Sequence, residues 1–239
     1  MLASTTGVFC VSVDGPDPNA CSMEATRRQR DLAELFDRTR IPSNWLLGGN
    51  ALSALPSKLE LTVPVPRSIS RGELLEHLRK AKSQLLSAGR QVFSIVADPC
   101  QAVSMWNLLV RHGCVTVRPR STEPLKDDKF RSIRGGLWLA PLSCSFVGGS
   151  RHSVRSSFNV CQRKLVAAAR AGRLFHVGFE LDNARESWPE EIEAFRALLL
   201  TAYEEKARGN LQFATLSELP KLLGRLRSSQ PMDSILRAA

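Results

Sequence analysis

The sequence predicts an α/β domain built on a mostly parallel sheet, either open or closed into a barrel. Strand-like and helix-like segments alternate along the 239-residue chain, and most connections between them are short. Nothing repeats at a fixed period, and no linker rich in Ser, Gly or Pro divides the chain. We therefore expect one domain over residues 1–239, with its core at about 7–223 and a tail at 224–239.

The strands are predicted from short apolar runs that are rich in β-branched residues. The run GVFCVSV at 7–13 is the clearest, and QVFSIVA at 91–97 and RLFHVGFE at 173–180 are similar. A charged loop of about 17 residues separates the strand at 114–118 from the apolar segment at 136–143. The remaining predicted strands are 43–49, 58–65 and 211–215.

The helices are predicted from amphipathic spacing and from capping signals. Apolar side chains follow i, i+3, i+4 spacing within 25–40. Ser70 and Glu73 form a capping box that opens a helix, and Gly89 closes it. The predicted helices are 25–40, 70–89, 99–113, 153–172, 187–209 and a final helix that is capped at 215–218.

The net charge of +10 belongs to one segment of the chain. Residues 111–173 hold thirteen basic and three acidic side chains, whereas the remainder is neutral. A localised basic segment can attract nucleic acid or acidic polymers, although a solvated loop and helix face explain it more simply.

Cysteine usage and hydropathy predict the cellular setting. The six cysteines stand singly, with no Cys-x-x-Cys pair, which argues against a zinc ribbon or a disulfide framework. No run of 18 apolar residues is present, and no Lys or Arg precedes the short apolar stretch near the N-terminus. We expect a cytoplasmic protein without a membrane partner.

In parallel sheets, ligands bind at the carboxyl ends of the strands, so polar residues there are the candidate site. Asp14 follows the first strand, Asp98 follows a middle strand, and Glu180 ends a late strand. The other candidates for the cleft are Trp138, His176, Asp182 and Asn183.

Four segments carry a resemblance to a known family. They are VSVDGPD at 11–17, the helix and strand at 26–49, the helix at 70–89, and the C-terminal block with FATLSEL at 213–219. Together they resemble the polysaccharide deacetylases of the NodB-homology group, whose first motif is Thr-Phe-Asp-Asp-Gly-Pro. The resemblance covers about 7–223 and implies a distorted (β/α) barrel of about seven parallel strands.

The resemblance implies metal-dependent removal of acetyl groups from sugars. In that family an Asp and two His bind a divalent metal such as zinc, a second Asp is the base, and a His near the C-terminus protonates the leaving group. Here the first motif keeps only Asp14, because Asp17 lies beyond Gly-Pro in a turn. The stretch LTVPVPRSIS at 61–70, where two histidines are expected, has none, and His77 falls on the surface of the next helix.

The two later motifs are altered as well. The third motif, normally Arg-x-Pro, reads Ala97-Asp98-Pro99, so we expect the Arg that steadies the base to be missing. Glu180 stands where the C-terminal His belongs, and His176 shares its face of the strand. We expect His176 either to line the pocket below Glu180 or to be a core histidine bonded to backbone. No metal ligand set and no cofactor are predicted.

Three functional hypotheses follow. The leading one is a divergent polysaccharide deacetylase-like protein that has lost its metal site and its catalysis but retains carbohydrate as a partner. The second is a metal-independent carbohydrate hydrolase that uses Asp14 and Glu180 as paired carboxylates. The third is polyanion or nucleic-acid binding through 111–173, which we disfavour because aromatic residues are sparse there.

Overall fold

A computed structural model describes residues 6–15, 23–46, 58–87, 93–120, 129–146, 151–181 and 188–228. Ten strands lie within these ranges. They are β1 (Gly7–Asp14), β2 (Ser43–Leu46), β3 (Leu59–Pro64), β4 (Phe93–Val96), β5 (Cys114–Arg118), β6 (Arg131–Arg134), β7 (Leu137–Leu139), β8 (Cys144–Phe146), β9 (Leu174–Glu180) and β10 (Leu211–Phe213).

Seven helices lie in the same ranges, and two of the predicted capping signals make hydrogen bonds. The helices are α1 (Met23–Thr39), α2 (Arg71–Ser87), α3 (Pro99–Ser104), α4 (Trp106–Arg111), α5 (Arg151–Arg170), α6 (Trp188–Ala207) and α7 (Leu219–Ser228). At the start of α2, the Ser70 amide donates to Glu73 Oε2 at 2.8 Å, and the Glu73 amide donates to Ser70 Oγ at 3.3 Å. Before α7, the Thr215 amide donates to Glu218 Oε2 at 2.8 Å. The predicted helix at 99–113 is interrupted at Met105, whose backbone leaves the helical region.

The strands form one curled, mostly parallel sheet. Its order is β6-β7-β5-β4-β3-β2-β1-β9-β8, and β10 pairs with β1 outside this path. Every pairing is parallel except that of β6 with β7. The turn between β6 and β7 is Gly135-Gly136, with φ of 51° and 90°, which suits a two-residue hairpin that only glycine enters easily.

The expected seven-stranded barrel needs a correction in strand number and in closure. Within the described residues the sheet has ten strands, and no pairing joins its end strands β6 and β8. The apolar segment predicted at 136–143 contains β7, which pairs with β5. The next strand, β8, pairs instead with β9. Pro141 lies between these two strands and has no N–H for a sheet ladder, so one continuous strand does not form. The architecture is therefore an open half-barrel.

Alternation along the strands separates two cores. On β1, Phe9, Val11 and Val13 belong to the large cluster that the outer helices cover. Val8 and Cys10 face the concave side, which we call the interior, and they pack in a second cluster with residues of α7. The interior above this cluster is lined by polar side chains, and these form the candidate site.

Candidate functional site

Two carboxylates meet at the carboxyl ends of β1 and β9. The parallel register pairs Asp14 with Glu180. Neighbouring strands lie about 4.7–4.9 Å apart, and paired residues point to the same face. Both side chains are partly exposed. The structure thus brings together the two residues that the sequence predicts as the centre of the site.

A buried arginine holds Asp14 from the opposite wall. Arg118 ends β5, and its Nη2 donates to Asp14 Oδ1 in a close ion pair. Three strands lie between β5 and β1 in the sheet order, so the curl of the sheet brings the two side chains together. The Arg118 side chain is only 1% exposed, whereas that of Asp14 is 20% exposed at the mouth of the half-barrel.

Arg118 corrects one expectation from the sequence. The motif at Ala97-Asp98-Pro99 lacks an arginine, but an arginine that steadies Asp14 comes from the next strand. A usable signal was present in the sequence. Arg118 ends the apolar run CVTVR, the same kind of strand-end position that drew attention to Asp14 and Glu180.

His176 is a core histidine rather than an exposed acid or base. It is fully buried, and its Nδ1 lies 3.1 Å from the Pro141 carbonyl oxygen, while its Nε2 lies 2.8 Å from Ser12 Oγ. A carbonyl only accepts, so Nδ1 carries the proton and Nε2 accepts from the Ser12 hydroxyl. Burial, together with the charge of Arg118, lowers the pKa of His176 to about 3. It therefore stays neutral at physiological pH.

Below the mouth, a polar network lines the interior. Asn44 Nδ2 donates to the Val11 carbonyl at 2.7 Å, and Asn44 Oδ1 accepts from the Leu216 amide at 2.9 Å. Glu60 Oε2 accepts from the Ser217 amide at 3.0 Å, and burial raises the pKa of Glu60. These contacts fasten the loop that precedes α7 to the interior.

Some buried polar atoms of Glu60 and Arg118 have no hydrogen-bond partner within the described ranges. They are Glu60 Oε1, Arg118 Nε and Arg118 Nη1. An unmatched buried donor or acceptor keeps its full desolvation penalty. The Arg118 guanidinium consequently depends heavily on Asp14.

The other predicted cleft residues have structural roles or lie outside the described residues. Asp98 caps α3 and accepts from the amides of Cys100 at 2.8 Å and Gln101 at 3.1 Å. Trp138 stacks on Phe130 with ring centroids 5.1 Å apart. Asp182 and Asn183 lie outside the described residues.

The donors that the structure describes do not fit the divalent metal that the resemblance implies. Among the described residues, no three His, Cys, Asp or Glu side chains lie together so as to hold a metal. Both ring nitrogens of His176 already have partners, and His77 Nε2 lies 2.7 Å from the Pro64 carbonyl. His77 is half-buried by this contact rather than lying on the surface. The charge of Asp14 is balanced by Arg118 instead of a metal.

The basic segment is divided between structural and exposed side chains. Arg120 donates to the Val65 carbonyl, and Lys164 Nζ donates to the Ser143 carbonyl at 3.0 Å. Arg134 covers the Trp106 ring, with its Cζ 5.1 Å from the ring centroid. Further basic side chains of this segment are exposed on β6 and α5. The charge is thus spread over separate elements.

A helix that crosses a membrane needs both sufficient length and high hydropathy. Among the helices that the structure describes, none is long and apolar enough to span a bilayer.

Comparison with known proteins gives a likeness of fold. No protein-family model and no curated protein matches the sequence. A solved structure from Mycobacterium smegmatis, assigned as a polysaccharide deacetylase, is 12% identical with a TM-score of 0.63; the match covers 95% of this chain and 93% of that one. One from Pseudomonas aeruginosa PAO1, also assigned as a polysaccharide deacetylase, is 10% identical with a TM-score of 0.60 and 91% coverage of both chains. The fold is therefore polysaccharide deacetylase-like.

Proposed function

We propose that this protein binds carbohydrate at the mouth of its half-barrel and does not carry out metal-dependent deacetylation. The observation that carries the proposal is the Asp14–Arg118 ion pair. It supplies a fixed cation beside the one Asp of the first motif, in a region where the described donors do not fit a metal. The fold supports carbohydrate as the ligand class.

The chemistry of arginine explains why the reaction would be lost. A metal in such a site lowers the pKa of a bound water and polarises a carbonyl. A guanidinium stays protonated and has no open coordination position, so it neutralises a carboxylate without generating hydroxide. Asp14 and Glu180 can still accept hydrogen bonds from sugar hydroxyls at the partly exposed mouth.

The test combines sugar binding with acetate release. We expect saturable binding of the N-acetylglucosamine tetramer by calorimetry, and no acetate release with added Zn, Co or Mn. Glu180→Gln should weaken binding by about tenfold, because a charged hydrogen-bond acceptor is lost. Glu193→Gln is the matched control, since Glu193 is exposed on α6 and pairs with Arg196 there. Metal-dependent acetate release, or no binding of this sugar, would overturn the proposal.

A second candidate rests on the register that pairs Asp14 with Glu180. Two carboxyl groups about 5–5.5 Å apart support retaining glycoside hydrolysis, and adjacent strands can supply such a spacing. This candidate predicts new reducing ends from the same tetramer in the presence of EDTA. Asp14→Asn and Glu180→Gln should each abolish the release, while Glu193→Gln retains it. Bound but intact sugar would eliminate this candidate and favour the first.

We also propose a cytoplasmic location. Its support is that the cysteines described by the structure (Cys10, Cys100, Cys114, Cys144 and Cys161) are all free thiols.

A further inference from the structure

Two cysteines face each other between the sheet and its outer helix layer. Cys144 begins β8 and pairs there with Val177, whose side chain lies on the face of the sheet that the outer helices cover. Cys161 lies on the buried side of α5, in the same core cluster. Cys161 is 2% exposed within the large core cluster, whereas Cys144 is partly exposed at its edge. One cysteine is therefore partly exposed, and the second is buried in the core behind it.

A lysine is fixed next to the same pair. Lys164 lies three residues after Cys161, so both side chains leave the same face of α5. Lys164 Nζ donates to the Ser143 carbonyl at 3.0 Å, which sets the ammonium against the residue before Cys144. A positive charge at this point favours the thiolate form of Cys144.

The pKa directions agree with this geometry. The hydrogen bond from Cys161 and the charge of Lys164 lower the pKa of Cys144, against the opposing effect of burial. The hydrogen bond to Cys144 and burial raise the pKa of Cys161. Burial also raises the pKa of Cys10 and of Cys114, which marks them as inert apolar residues.

We propose that Cys144 and Cys161 form a reversible redox pair, with Cys144 as the thiol that peroxide oxidises and Cys161 as the resolving thiol. In the first step the Cys144 thiolate attacks hydrogen peroxide, the O–O bond breaks, and sulfenic acid and hydroxide form. In the second step the Cys161 sulfur attacks the Cys144 sulfur and displaces the sulfenic oxygen. The proton of Cys161 and the hydroxyl group leave as water, and a disulfide remains. Sulfur is oxidised by two electrons and peroxide is reduced.

This disulfide would join α5 to the segment that packs against His176. The Ser143 amide donates to the His176 carbonyl at 2.7 Å, and the His176 amide donates to Ser143 Oγ at 3.1 Å. Oxidation therefore ties the outer helix to the wall of the interior. It also closes a chain loop between residues 144 and 161, so the oxidised protein should unfold at a higher temperature.

Peptide mapping of the full chain tests the proposal directly. The protein is reduced, freed of reductant, treated with hydrogen peroxide and digested without reduction. We expect a cross-linked peptide with Cys144 bonded to Cys161, lighter by two hydrogen atoms and lost on adding dithiothreitol. Cys161→Ser should leave a sulfenic acid on Cys144 that dimedone traps, and Cys144→Ser should leave Cys161 as a thiol.

A matched pair of variants tests the part of Lys164. Lys164→Gln should slow alkylation of Cys144 by iodoacetamide severalfold at neutral pH and shift its pH profile upward. Arg163→Gln removes the same charge from the neighbouring exposed position, where Arg163 Nε bonds the Asn159 carbonyl, and should leave the profile unchanged.

Three results would overturn the proposal. They are a wild-type Cys144 sulfenic acid that persists without disulfide formation, a disulfide of Cys144 with any cysteine other than Cys161, and a Cys144 that peroxide leaves reduced. Because mapping reads the wild-type chain, the test does not depend on the folding of any variant.

Discussion

The Asp14–Arg118 pair predicts an asymmetric response to removing either partner. Asp14→Ala leaves a guanidinium that is 1% exposed and already has two nitrogen atoms without partners among the described residues. Breaking a buried pair in this way lowers the free energy of unfolding by about 3–5 kcal/mol. Arg118→Met leaves the carboxylate at the mouth, where its 20% exposure lets water solvate it. We expect a loss of only about 1–2 kcal/mol there, close to that of a single charged hydrogen bond.

The double variant sharpens this prediction. With both charges gone, the methionine fills most of the space that the arginine stem occupied, and no buried charge remains. Replacing a buried ion pair by apolar groups is often neutral. Adding Arg118→Met to Asp14→Ala should therefore recover about 2–3 kcal/mol, a coupling expected only for residues in contact.

Urea unfolding followed by circular dichroism measures all four proteins of this cycle. The slope of free energy against urea should stay constant, so that midpoints report stability. Glu34→Ala is the control, because the Glu34–Arg38 pair on α1 is exposed at 55% and 75% and should contribute less than about 1 kcal/mol. Equal losses for the two single variants, or a double variant less stable than Asp14→Ala, would refute the reasoning.

Three further predictions concern titration and backbone geometry. As pH falls from 6.5 to about 3, the unfolded chain protonates His176 while the folded protein does not, so the stabilisation from neutral His176 is full above pH 6.5 and declines below it. Between pH 7 and pH 5, His176→Gln should therefore lose about 2 kcal/mol less unfolding free energy than wild type, as measured by urea unfolding. Equal losses in the two proteins would contradict this. Burial raises the pKa of Glu60, so the stabilisation from its protonated form is present at low pH and declines as pH rises above 4.5. Glu60→Gln should therefore raise the thermal midpoint at pH 7.5 more than at pH 5. A lower midpoint for the variant at pH 7.5 would refute this. Gly135→Ala places a Cβ 2.3 Å from the Trp106 ring, at a residue with φ of +51°. This variant should lower the urea midpoint more than Gly136→Ala, whose Cβ meets nothing within 4 Å. An equal effect of the two variants would contradict the packing argument.

The fold was predictable where local chemistry decides the structure. The run at 7–13 is dominated by apolar residues that suit a buried parallel strand, and Ser70 with Glu73 bonds the amides at a helix start. Strand β6 was missed because its sequence, RSIR, has no apolar pattern, and pairing with β7 makes it a strand. The Gly135-Gly136 dipeptide was the available hairpin signal.

The sequence predicted the site only where its residues stand at the carboxyl ends of neighbouring strands. Asp14 and Glu180 meet because neighbouring parallel strands end at the same edge. The contact of Arg118 with Asp14 depends on the curl of the sheet, which joins strands separated by three others and is not encoded in the spacing of either residue. Applying the strand-end rule to cations as well as to carboxylates would have identified the residue, although not its partner.

The buried arginine and the mismatch with a metal belong to one arrangement. The buried guanidinium of Arg118 needs an anion, and Asp14 at the mouth of the half-barrel supplies it. With Arg118 in place, introducing two histidines into 61–70 would not be sufficient for a metal site, because the guanidinium would hold the Asp14 carboxylate and repel a divalent cation. His176 and His77 offer no reserve of ligands, since His176 uses both ring nitrogens and His77 is bonded to the Pro64 carbonyl. The proposal of binding without metal chemistry therefore rests on the charge balance between Asp14 and Arg118 as well as on the ligand sets that the described residues do not form.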